Sequence, residues 1–147
     1  MHYPIDVVPG FWNRVVHLAN TGLVISIDKV HSELAAGKDD LYTWCESNLP
    51  QDFFRETKSA IVEYMNISHW AASKTAHYTQ AALAEFLDVN EADAWLVAYA
   101  KVNNNIIVTH EVSDPQSKKR IKIPDVGFVP VQCVNTIEMF RRLGQTF

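Results

Sequence analysis

Three carboxylates in this sequence stand where they could work together. Asp93 falls in the first turn of a helix predicted from EADAWLVAYAKV. Glu111 follows the apolar run IIVT, and Glu33 sits on a short helix after a second apolar run, LVISI. In open α/β sheets, ligands gather beyond the carboxyl ends of the strands. If both runs are strands, all three acids can reach that edge. Carboxylates crowded together raise one another's pKa values. A hard cation such as Mg²⁺ or Mn²⁺ relieves that cost through oxygen ligands. Beside a phosphodiester, such an ion activates water and stabilises the leaving oxygen. Each acid also has a plainer reading. An Asp in a helix first turn complements the helix dipole for less than about 1 kcal/mol, and Glu33 and Glu111 fit a solvated helix face and a loop.

Other side chains extend the phosphodiester reading. Lys118, Lys119 and Arg120, with Lys122 close by, form the dense basic cluster of the chain. Such a cluster can hold phosphate oxygens of RNA, or be a solvated loop. His110 adjoins Glu111 and could touch a phosphate. Ser26 and Thr109 lie near strand ends, placed to hydrogen-bond the carboxylates. The four tryptophans, Trp12, Trp44, Trp70 and Trp95, could stack on bases, but their helical spacing favours packing.

Composition removes other classes. The chain has 147 residues, 48% hydrophobic and 20% charged, with a formal net charge of -4. That fits one globular domain and argues against wholesale non-specific nucleic-acid binding, though not against a local basic patch. Cys45 and Cys133 are far apart with no CxxC, and the six histidines form no metal-spaced pair. A zinc site is therefore not expected, and the thiols suit a reducing cytoplasm. No apolar run reaches about 18 residues, so no membrane span is expected. The opening lacks the basic-then-apolar pattern of a signal peptide.

The positioning elements follow from periodicity and punctuation. Phe11, Val15 and Leu18 mark a helix over Phe11–Asn20, closed by Gly22. Leu23–Ile27 reads as a strand. Asp28 is placed to cap a short helix holding Val30 and Leu34, and a further helix covers Asp39–Ser47. A long helix is expected over Gln51–Met65, with Phe54, Ile61, Val62 and Met65 inward. Tyr78–Leu87 makes another, and Asn90 or Glu91 opens the next, with an apolar stripe of Trp95, Leu96, Tyr99 and Val102. Asn103–Asn105 should end it, because Asn tolerates the left-handed backbone of a helix stop. Ile106–Thr109 and Val131–Val134 read as strands, Val112–Pro130 as irregular, and Thr136–Leu143 as a last helix. Short strands alternating with helices imply an α/β fold with a mainly parallel sheet. Two or three strands are few, since a sheet usually has about five or six.

Several segments together resemble a known family. SIDKVHSEL, ADAWLVAYA, IIVTHE, SKKRIKIPD and VNTIEMFRRLG, with the opening HYPIDVVPGFW, are similar to an uncharacterised PIN-like family. PIN domains are metal-dependent nucleases, mostly ribonucleases, and many are toxins of toxin–antitoxin pairs. Members of this family often occur beside an antitoxin-like protein. The resemblance implies a three-layer α/β/α fold, with Glu33, Asp93 and Glu111 as catalytic ligands of Mg²⁺ or Mn²⁺. It also implies a departure. The family's central first strand carries a metal-binding Asp, and this sequence starts after it. The resemblance therefore implies reduced or absent activity. It also implies an open sheet that favours a homodimer or higher oligomer, or a protein partner such as an antitoxin. A non-catalytic module, a remnant or a decoy for an intact relative, is the rival expectation.

Overall fold

The computed structural model describes residues 4–127 and 130–145. The first three residues, which carry part of the resemblance, lie outside that range. The chain divides into two compact units. One comprises the residues up to Glu56 together with those from Phe140 on, and the other is Thr57–Met139.

The first unit opens with α1, Pro9–Asn20. Proline suits a helix start, where its missing N–H has no intrahelical partner to lose. Phe11, Leu18 and Ala19 are its buried positions. The ring of Phe11 meets Phe140 edge-on at 5.5 Å, and Trp12 meets Trp44 at 4.8 Å, so this tryptophan pair packs. Gly22 takes φ 76°, which lets the Leu23 N–H return to the Leu18 carbonyl at 3.0 Å and stops the helix. Strand β1 (Ser26–Ile27) leads into α2 (Asp28–Gly37). Asp28 does not cap this helix: it is the first helical residue, and Ile27 takes the cap position without a side-chain bond. Helix α3 (Asp40–Asn48) starts one residue later than the periodicity implied, and Asp39 caps it by accepting from the Tyr42 N–H at 3.0 Å.

The expected long helix from Gln51 is corrected. A single 3₁₀ turn covers Gln51–Phe53, and Phe54–Arg55 is strand β2. It pairs in parallel with β1, Ser26 opposite Phe54 and Ile27 opposite Arg55. Burial of Ile27 and Phe53 rewards this extended course, and helical periodicity could not reveal it.

The second unit contains α4 (Ile61–Ala72), α5 (Gln80–Leu87), α6 (Ala92–Asn103), β3 (Ile107–Val108) and β4 (Cys133–Val134). Helix α7 follows over Thr136–Arg142. The inward face of α4 is Tyr64, Ile67, Trp70 and Ala71. The expected core residues Ile61, Val62 and Met65 are exposed instead. The Tyr64 ring lies flat on Trp95, 3.9 Å between centroids and 9° between planes, which fixes the rotation of α4. The Trp95 indole N–H donates to the Val89 carbonyl at 3.1 Å. Helix α6 is buried on several sides through Ala92, Ala94, Trp95, Val97, Ala98 and Ala100. Small residues let neighbouring elements approach closely, so the anticipated stripe was too narrow and Val102 lies outside it, exposed. Asn104 ends α6 in the left-handed region at φ 56°, as the asparagine run implied.

Strands β3 and β4 are parallel, Ile107 opposite Cys133 and Val108 opposite Val134. The Ile107 N–H donates to Gln132 at 3.0 Å and the Thr109 N–H to Val134 at 2.9 Å. The architecture is thus mixed α/β and helix-rich, with two two-stranded parallel sheets among the described residues. Each anticipated strand contributes only two residues. No described helix is long and apolar enough to cross a membrane.

Trp95 is the packing centre of the second unit. Trp95→Ala should cost about 3–5 kcal/mol, as large-to-small aromatic changes in cores do. Trp95→Phe keeps a stacking ring but leaves Val89 without its donor, and should cost less. Urea denaturation of both variants checks the order.

Candidate functional site

The second unit gathers three carboxylates around one guanidinium. Asp93 is the second residue of α6, near the positive end of the helix dipole. Glu85 comes from α5. Glu111 follows β3, and its backbone N–H donates to the Thr109 hydroxyl at 3.0 Å. Thr109 therefore holds Glu111 by its main chain, rather than by the carboxylate as expected. Arg120 reaches all three acids. Its Nη2 lies 2.7 Å from Glu111 Oε1 and 3.3 Å from Asp93 Oδ2, and its Nη1 lies 3.1 Å from Glu85 Oε1. Its Nε also donates to Glu111 Oε1 at 3.1 Å. A planar guanidinium with five donors can serve several carboxylates in this way, and a lysine ammonium cannot match that fork.

Glu111 has a second task. Its Oε2 accepts the Ile123 N–H at 2.7 Å, and its side chain is only 19% exposed. One carboxylate thus ties Arg120 and Ile123 into a loop. Asp125 closes the same segment further out, accepting from the Ser113 hydroxyl and, at 2.7 Å, from the Asp114 N–H. The segment is also fastened to the turn before α5. There the Thr79 N–H donates to the Lys118 carbonyl at 2.9 Å, and His77 Nε2 lies 3.0 Å from the Ser117 carbonyl. The region read as irregular is therefore a strap with assigned bonds.

The electrostatics follow from this packing. Burial pushes the Asp93 carboxyl above its ordinary value of 3.8. Glu111 pushes the same way, Arg120 pulls it back, and Glu91 and Glu85 add smaller upward pushes. Arg120 is itself raised, chiefly by its hydrogen bond to Glu111. The hollow between Glu85, Asp93 and Arg120, also lined by Ala82, Phe86, Glu91 and Ile121, has about 10 Å³ of free space. That is room for about one water.

The structure brings together Asp93 and Glu111, and adds Glu85, which sequence reasoning missed. Glu33 is exposed on α2 of the first unit, and Ser26 is half-buried in β1. Among the described residues, no group of three or more His, Cys, Asp or Glu side chains is placed to hold a metal ion. Lys118 and Lys119 are exposed, and Lys122 is half-buried. Arg120 differs from its basic neighbours because its guanidinium is spent on carboxylates. The sequence did carry a signal: Arg120 begins the alternation Arg-Ile-Lys-Ile, in which Ile121 and Ile123 are buried.

A family model, "Domain of unknown function (DUF4411)", matches residues 1–147. The chain belongs to the DUF4411 family. No curated protein and no solved structure matches it. The arginine-centred cluster is thus a feature of a DUF4411 chain read from its own geometry.

A raised Asp93 pKa has a definite sign. The folded protein holds this proton to higher pH than the unfolded chain does. Its contribution to stability therefore falls as pH climbs from 3.8 to the raised folded value, then levels off. Asp93→Asn should remove that fall. Carbon-detected carboxyl titration by NMR should place Asp93 above 3.8. Arg120→Gln should raise it further, and Glu111→Gln should lower it.

Proposed function

We propose that this DUF4411 chain is a PIN-like protein of three-layer α/β/α type. In this reading it is related to the Mg²⁺- or Mn²⁺-dependent endoribonucleases of toxin–antitoxin systems, with activity reduced or absent in this form. One observation supports the relationship. Asp93 and Glu111, two of the three acids implied by the resemblance, come from separate elements and meet at one guanidinium. The parallel strand pairs covered by helices agree with the fold reading.

The same observation supports the loss of activity. Mg²⁺ demands near-octahedral oxygen ligands and keeps several waters. Arg120 already holds one oxygen of each acid, and among the described residues no group of three metal-ligating side chains is in place. As arranged, these residues do not fit a divalent ion, and no reaction step is routed through one. Lys118 and Lys119, exposed on the same strap, are the groups left to contact RNA phosphates, with Lys122 beside the open hollow lined by His110 and Glu111.

A non-catalytic module for oligomerisation or protein binding is the second reading. The observation favouring it is apolar exposure on and around β3: Ile106 is 44% exposed, Val108 40% and Val112 78%. Exposed strands of this kind favour pairing between chains. A second copy, an antitoxin or an intact relative would each suit the surface.

The test is cleavage of single-stranded RNA with Mn²⁺, alongside sedimentation of the protein alone. The ribonuclease reading predicts weak cleavage that is abolished in Asp93→Asn with Glu111→Gln. Intact RNA at every protein concentration, with a sedimenting dimer, would favour the binding module.

A further inference from the structure

We infer that Arg120 is the resident cation of the Asp93–Glu111 pair, so that a divalent ion and this guanidinium exclude one another there. The inference rests on the reading that the pair descends from a metal site, and adds what now holds it closed.

The argument begins with charge. Glu85, Asp93 and Glu111 bring three formal negative charges to one place. Leaving Asp93 and Glu111 together without a cation would be costly, because burial already disfavours the charged form of Asp93 and Glu111 adds to it. The guanidinium offsets part of this from within the chain. It lies between the two carboxylates, 2.7 Å from Glu111 Oε1 and 3.3 Å from Asp93 Oδ2 through the same nitrogen. A divalent ion drawn to the same pair would meet this positive charge at close range, so the two cations compete for the site.

The strap makes the exclusion lasting. Arg120 is held in place by neighbours on both sides. The Lys118 carbonyl is bound by Thr79, and the Ile123 N–H is bound by Glu111 itself. Ile121 and Ile123 are buried. The backbone that carries Arg120 is thus fixed, and the guanidinium, 41% exposed, leaves the pair only by giving up its bonds to Glu111 and Asp93. The contact is autoinhibitory: the pair opens to a divalent ion when those bonds break.

Calorimetric titration of the 147-residue chain with Mn²⁺ tests this. Arg120→Gln should bind Mn²⁺ at least about tenfold tighter than the native chain, because a competing positive charge is gone. Adding Asp93→Asn to it should abolish the gain. Arg120→Lys keeps the charge that supports folding but cannot bridge the same oxygens, and should bind between the two. It decides the matter if the glutamine variant proves unfolded by circular dichroism: no gain over native then overturns the inference. Native and Arg120→Gln chains binding equally well, through Asp93 and Glu111, would overturn the inference and leave the metal reading standing. No binding by either folded chain would overturn the metal reading, and the inference with it.

Discussion

The second unit depends on one constraint: three carboxylates close together need a positive charge, and Arg120 supplies it. The contributions are unequal. Half-exposed ion pairs such as Arg120 with Glu85 are worth about 0–1 kcal/mol each. The bond from the Ile123 N–H to Glu111 joins a buried residue to a charged acceptor, a class worth about 1.5–3 kcal/mol. Glu111 is therefore the stronger anchor of the strap, and Arg120 sets what charge the cluster shows to ligands.

This division explains why the helices lie where they do. The Tyr64–Trp95 stack locks α4 against α6 and orients the first turn of α6. That orientation carries Asp93 to the rim. The threonine cap of α5, with Thr79 accepting the Ala82 N–H at 3.1 Å, fixes the start of the helix that brings Glu85. The same residue binds the strap through its own N–H. Packing, capping and electrostatics meet at one point, so changes in the core of this unit will be felt in the cluster.

Much of this was legible in the sequence, for physical reasons. The asparagine stop after α6 and the glycine end of α1 are local chemistry, and local chemistry survives folding. The β-branched runs did mark strands, in parallel pairs. What was not legible depends on long-range partners. Phe54–Arg55 is a strand only because Ser26–Ile27 lies beside it. The rotation of α4 was set by a ring thirty-one residues away, as the numbers of Tyr64 and Trp95 show. At the site, Asp93 and Glu111 were visible as acids near strand and helix ends. Glu85 was not, because an exposed helix glutamate has no local mark. Arg120 was grouped with lysines by charge, although its geometry separates it from them.

The central claim is that Arg120 fastens the strap by bridging Glu111 to the acids of α5 and α6. Amide hydrogen exchange, compared between the native chain and Arg120→Gln, tests it most directly. The account predicts faster exchange at Ile123 and across residues 117–121, with the amides of α4 and the middle of α6 unchanged. Equal protection of the strap in both proteins would contradict it, and would mean that the Glu111–Ile123 bond, the buried isoleucines and the main-chain bonds hold the strap without Arg120.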